Sequence, residues 1–92
     1  MIISFKCRET EKLAMGYRVR RFVSIERVAL RKIRQLQVAN QLDDLKVPPG
    51  NRLEPLSGDR YGQHSIRINR QFRICFLWTN VGAEDVEIVD YH

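Results

Sequence analysis

Gly62-Gln63-His64-Ser65-Ile66-Arg67-Ile68-Asn69-Arg70-Gln71-Phe72-Arg73-Ile74-Cys75-Phe76-Leu77-Trp78 decides how this chain folds. In its first half His64, Ile66 and Ile68 share one parity, and Gln63, Ser65, Arg67 and Asn69 share the other. In its second half Phe72, Ile74, Phe76 and Trp78 alternate with Arg73, Cys75 and Leu77. A period of two marks a half-buried strand. Two such runs around a short polar segment predict a hairpin. If Ile68 pairs with Phe72 across a three-residue turn, the apolar faces coincide and Arg67 falls opposite Arg73. Like charges directly across an antiparallel pair repel. An anion between the two guanidinium groups would relieve that repulsion, so the pair is a candidate phosphate site. A one-residue slip in register would remove it.

Downstream, Asn80-Val81-Gly82-Ala83 predicts a turn, and 84–91 a closing strand. Val86 and Ile88 point to the core in this reading, and Tyr91 lies on the side of Glu87 and Val89. Upstream, Arg52-Leu53-Glu54-Pro55-Leu56 begins the strand half, followed by a loop, 57–62, built from the turn residues Gly58, Asp59 and Gly62. Val47-Pro48-Pro49-Gly50-Asn51 disfavours both helix and central strand, and separates a helical half from a strand half. Within the helical half, Ile25, Val28, Ala29, Ile33, Leu36 and Ala39 fall on one side of a helical wheel. Arg27, Arg31 and Arg34 fall on the other. This predicts a helix from Ser24 to Asn40, with Ser24 as N-cap and Glu26 in the first turn. Its arginine stripe is either a solvated face or a contact for an RNA backbone. Gln41 to Lys46 adds one more helical turn. Glu9 to Met15 predicts a short helix stopped by Gly16, Tyr17 to Phe22 a connection, and Met1 to Lys6 a first strand. The expected fold class is α/β in the α+β sense, with helices packed on a mainly antiparallel sheet and residues 1–92 forming one domain.

The chain has 92 residues and 43% apolar content, enough for one modest core. Its longest apolar run, Ile74 to Trp78, cannot span a bilayer. The opening residues predict a strand rather than a secretory leader, so a cytoplasmic location without membrane association is expected. Lys and Arg number 16 against 11 Asp and Glu, a net charge of +5. Arginine carries most of it, and its planar fork suits phosphate. Cys7 and Cys75 have no zinc-like spacing with the two histidines, and read as reduced thiols. No phosphate loop or dinucleotide fingerprint is present, which excludes those nucleotide chemistries. No metal or other cofactor is expected.

The chain ends Asp90-Tyr91-His92, an acid, a phenol and an imidazole. RNA cleavage without a cofactor needs these residue types. A base takes the 2′-hydroxyl proton, an acid protonates the departing 5′-oxygen, and cations hold the phosphate. His92 suits either proton role because imidazole titrates near neutrality. Asp90 could orient or deprotonate, and Tyr91 could stack or donate. Each also has a plain structural reading: a frayed terminus, a strand cap, a packed ring. His64 shares parity with Ile66 and Ile68, which favours a partly buried structural role. Arg60 and Tyr61 in the glycine loop are candidates for RNA contact or simply a turn.

Taken together, Leu53-Glu54-Pro55-Leu56-Ser57-Gly58-Asp59-Arg60, Gln63 to Asn69, Gln71 to Phe76 and Val89-Asp90-Tyr91-His92 resemble the HigB toxins of the RelE-like superfamily. The likeness runs over essentially the whole chain and is most specific in the C-terminal half. It implies a compact RelE-like α+β domain with an N-terminal strand, helices and a sheet of about four to five strands. It implies a ribosome-dependent endonuclease that cuts translated mRNA in the A site of the 30S subunit of the 70S ribosome, without a metal. It further implies a HigA-type helix-turn-helix antitoxin, with operator DNA bound only through the toxin–antitoxin complex. By this resemblance Arg73, Asp90, Tyr91 and His92 are the catalytic residues; Arg67, from its place opposite Arg73, and Arg60, from the glycine loop, are the expected substrate contacts. Two positions depart from one branch of the family, where Glu54 and Ser57 replace a histidine and a lysine. Glu54 could then act as the base, or Asp90 and His92 could carry the proton transfers, the arrangement preferred on sequence. The rival readings are a non-catalytic basic RNA- or ribosome-binding module and a protein-interaction domain with a basic surface.

Overall fold

A computed structural model describes residues 1–91, so His92 lies outside the described residues. The hairpin forms as the alternation requires. Strands β2 (His64–Arg67) and β3 (Phe72–Trp78) pair antiparallel, with Ile66 opposite Ile74 and Arg67 opposite Arg73. Ile68 N donates to Phe72 O at 3.0 Å, which closes the three-residue turn. Asn69 builds that turn: its Oδ1 accepts from Gln71 N and Phe72 N, both at 2.8 Å. The polar side chain thus substitutes for a backbone acceptor.

Strand β1 is only Glu54–Pro55, because Pro55 donates no ladder bond and confines the segment to an edge. Strand β4 (Ala83–Asp90) pairs with β3, giving the order β1-β2-β3-β4, antiparallel throughout. Beyond β4 runs the N-terminal segment. It is extended but bridges β4 only at Ile2 and Phe5, in parallel with Ala83 and Val86. The first strand expected at 1–6 is therefore an edge tether rather than a full strand. Helix α1 (Arg8–Ala14) follows, and buried Thr10 Oγ1 accepts from Ile88 N at 3.0 Å. Tether and helix together cover the β4 edge, which would otherwise be open to pairing with another chain.

Helix α2 (Glu26–Val38) packs Ala29, Ile33 and Leu36 onto the inner face of the sheet. The cap expected at Ser24 is absent. A 3-10 turn, Arg20–Ile25, runs directly into α2, and Ile25 occupies the N-cap position without a side-chain bond. Burial of Phe22 and Ile25 fixes this entry, and the Phe22 ring meets Phe72 edge-on at 6.0 Å. Fully burying such a side chain contributes about 1.5–3 kcal/mol, more than a cap, at about 1 kcal/mol. Ile66, Ile74, Phe76, Val86 and Ile88 complete the core from the sheet side. Among the described residues no helix is long and apolar enough to cross a membrane.

The Pro-Pro-Gly break is held by a buried polar knot. Asn51 is fully buried; its Oδ1 accepts from Lys32 Nζ at 2.5 Å, and its Nδ2 donates to Gln35 Oε1 and Leu45 O at 3.0 Å. Burial holds the Lys32 ammonium below the ordinary lysine pKa, with Arg31 adding to the effect. The knot ties α2 to the segment that leads into β1.

Candidate active site

The face of the sheet away from the helices is built around two small buried residues, Ser65 and Cys75, which sit opposite each other. Their size lets Arg73 lie down over the sheet. Arg73 Nε donates to Ser65 Oγ at 2.7 Å, and Nη2 donates to Arg52 O at 2.7 Å. Glu54 Oε1 stands 3.6 Å from Nη2 as an ion pair, with Glu54 about half exposed and Arg73 only 11% exposed. Among the described residues, Nη1 of Arg73 hydrogen-bonds to none. The guanidinium is therefore fixed on one edge and available on the other.

Arg67 stands beside it, its Nε bonded to Asn69 O at 3.0 Å. Between the two opens a cleft of about 360 Å³, lined among the described residues by Arg52, Glu54, Arg67, Asn69, Arg70, Arg73 and Tyr91. Two of its four arginines, Arg52 and Arg70, are residues that strand periodicity did not nominate. Arg70 sits in the hairpin turn. Arg52 has φ 47° and ψ 54°, a left-handed conformation uncommon for arginine. That backbone turn aims its carbonyl at Arg73. A positive-φ residue cannot be inferred from alternation. The only hint in the sequence was the preceding Pro-Pro-Gly-Asn.

Tyr91 forms one wall. Its ring lies 6.0 Å from the Arg73 guanidinium carbon, and its hydroxyl is 3.8 Å from Cys75 Sγ. Burial, then the contact with Cys75, raises the phenol pKa above 10.0, so Tyr91 stays protonated at neutral pH. Burial likewise raises the Cys75 thiol above 9.0. The hairpin turn holds the chain end against this wall: Tyr91 N donates to Gln71 O at 2.5 Å, and Gln71 Nε2 donates to Asp90 Oδ2 at 3.0 Å.

The other nominated residues divide. Asp90 pairs with Phe72 at the end of β4 and is not among the described residues lining the cleft. Arg60 is engaged elsewhere, with Nη1 3.2 Å from Glu87 Oε1 and 3.2 Å from Gln63 Oε1. His64 is partly buried, and its Nδ1 has no hydrogen-bond partner among the described residues. His92 lies outside the described residues. Among those residues no three His, Cys, Asp or Glu side chains gather as a metal site.

Helices packed on one face of an antiparallel meander make up a RelE-like α+β fold. Residues 17–92 match the family model described as the RelE-like toxin of type II toxin-antitoxin system HigB. The chain is 38% identical over 82 residues to Toxin HigB-1 of Vibrio cholerae serotype O1, an alignment covering 87% of this chain and 86% of that one. It is also 32% identical over 57 residues to an uncharacterized protein of Haemophilus influenzae, covering 62% of this chain and 56% of the other. The chain belongs to the HigB-like toxin family of type II toxin-antitoxin systems.

Proposed function

We propose that residues 1–92 act as one domain, a cytoplasmic, ribosome-dependent endonuclease that cuts translated mRNA and is neutralised by a HigA-type antitoxin. The observation that carries this reading is Arg73, locked by Ser65 and Arg52 on one edge of its guanidinium and open on the other toward a cleft shared with Arg67. Two guanidinium groups facing one space suit a phosphodiester, and stabilise the charge that builds on its oxygens at the transition state.

The chemistry is transesterification. The 2′-oxygen bonds to the adjacent phosphorus, the bond from phosphorus to the 5′-oxygen breaks, and a 2′,3′-cyclic phosphate and a 5′-hydroxyl result. No cofactor or metal is needed. Among the described residues Glu54 is the carboxylate within the cleft, and we assign it the 2′-hydroxyl proton. Its ion pair with Arg73 gives way as the phosphate takes the guanidinium. Protonated Tyr91 offers a ring for base stacking and a hydroxyl as donor. His92 is assigned protonation of the 5′-oxygen. This assignment favours Glu54 over Asp90 as base, because Asp90 lies at the strand end. The ribosome supplies the near-in-line geometry of the message.

The test is a translating extract programmed with a defined message. Wild type is expected to cut within codons. Arg73→Ala should slow cutting roughly 10²–10³-fold, and Glu54→Gln and His92→Gln roughly 10²–10⁴-fold each. A purified protein that sediments with ribosomes yet leaves translated message intact would establish the non-catalytic binding module instead.

A further inference from the structure

The buried polar knot at the Pro-Pro-Gly break ends one residue before the anchor of the cleft. Lys32, on α2, is only 7% exposed, and among the described residues no carboxylate pairs with it. An apolar side chain would pack there without desolvating an amine. Lys32 Nζ instead donates to Asn51 Oδ1 at 2.5 Å. That bond decides how the Asn51 carboxamide lies. Lys32 has only protons to give, and Leu45 O can only accept. Oδ1 must therefore face Lys32, and Nδ2 must face Leu45 O and Gln35 Oε1, each at 3.0 Å. Gln35 is held in turn through its Nε2, which donates to Val47 O. Two side chains of α2 thus fix Asn51 in one orientation.

The next residue is Arg52, in the left-handed conformation. A residue with a Cβ disfavours that conformation and keeps it only where the surroundings impose it. After Arg52 comes a two-residue edge strand, which offers little hold. Before it, Asn51 N donates to Pro48 O at 2.9 Å and Arg52 N to Pro49 O at 3.0 Å, and the Asn51 side chain is clamped to α2. The hold therefore comes from the knot. Its product is the position of Arg52 O, which accepts from Arg73 Nη2 at 2.7 Å. Were that carbonyl to turn away, Nη2 would close on Glu54 Oε1, now 3.6 Å distant, and occupy the carboxylate assigned to proton transfer. We propose that Lys32 and Asn51 are positioning residues for Arg73, fixing the Arg52 carbonyl that keeps the guanidinium open to phosphate and off Glu54. The catalytic consequence rests on the nuclease reading above, to which this adds two buried residues outside the cleft.

Two variants of the full chain test this. Lys32→Met keeps an unbranched side chain but removes the donor. Gln35→Met removes an acceptor of Asn51 at a partly exposed position, where folding is not at stake. The direct readout is the nitrogen-15 spectrum of the Arg73 guanidinium. Wild type is expected to show separate Nη signals, because Nη2 is held and rotation about the Nε–Cζ bond is hindered. In both variants the Nη signals should average, while the Nε–H signal stays resolved through its bond to Ser65. Cutting of a message on purified ribosomes should lose roughly 10–10²-fold in kcat, with KM for the ribosome complex changed less than about twofold. Gly82→Ala, at the far end of β4, is the control for lost stability alone and should keep the wild-type kcat. Separate Nη signals in both variants would overturn the proposal. So would an equal kcat loss in Gly82→Ala, which would assign the effect to general loosening. If wild type leaves message uncut while the variants still average the Nη signals, the nuclease reading fails and the positioning of Arg73 stands.

Discussion

Arg73 shows how a single side chain can be read from sequence and yet be completed only by structure. Its parity and its partner Arg67 follow from the alternation in β2 and β3 and from the turn length. Its anchor does not. Arg52 O reaches Nη2 because Arg52 adopts a left-handed conformation after the Pro-Pro-Gly-Asn break. Tyr91 is similar: its outward parity is legible, but its contact with Cys75 depends on a strand order that alternation leaves open. Burial of the two groups makes a pH prediction. Both pKa values are raised in the fold, above 9.0 for Cys75 and above 10.0 for Tyr91. The folded state therefore holds protons that the unfolded state releases. The stabilisation is fully present below pH 9 and is lost as the pH rises above the ordinary thiol and phenol values and through the raised ones of the fold. Thermal unfolding between pH 8 and 11 should show a steeper alkaline decline for wild type than for Tyr91→Phe combined with Cys75→Ala. Parallel declines would mean the pair is not energetically coupled to folding.

Among the elements, β4 departs most instructively from its sequence pattern. Strict alternation from 84 to 91 would turn Glu84 toward the core with Val86 and Ile88. Instead the ladder passes from Cys75–Glu87 to Leu77–Glu84, an extra residue on β4, with Asp85 at φ 53°. The bulge lets Ala83 and Val86, three apart, both point inward, and both are fully buried. Asp tolerates this conformation better than most residues. Just before the bulge, Gly82 sits at φ 151°, and a Cβ there would land on Met1 O. The tether bonds at that point, with Ala83 N donating to Met1 O at 2.8 Å and Ile3 N to Ala83 O at 2.7 Å. Gly82→Ala is therefore expected to push the tether off β4 and to cost about 1–3 kcal/mol. Denaturant unfolding measures the loss, and hydrogen exchange should show it concentrated at the amides of Ile3 and Ala83. A variant as stable as wild type would show that the tether is not held at this point.

For the whole molecule, the division of labour is between faces. The helices and tether close one side and one edge of the sheet, and Arg52, Arg67, Arg70 and Arg73 gather around a cleft on the opposite side. With a net charge of +5, the proposed association with ribosomes should fall steeply as salt rises, because each phosphate contact releases counterions. Arg67→Gln and Arg70→Gln should each reduce the slope of log affinity against log salt by about 1, measured by sedimentation. An unchanged slope would take both residues out of RNA contact. The sequence by itself determined the hairpin and its register, the amphipathic helix, the break between the halves and the basic charge. Each of these rests on local periodicity or on residues with strong backbone preferences. Only the tertiary structure decided the rest. It brought Arg52, Glu54, Arg70 and Tyr91, which lie up to 39 positions apart, around one cleft, left Arg60 paired with Glu87, and set buried Lys32 against Asn51. Those outcomes follow from strand order, a left-handed residue and a bulge, which depend on contacts between distant segments.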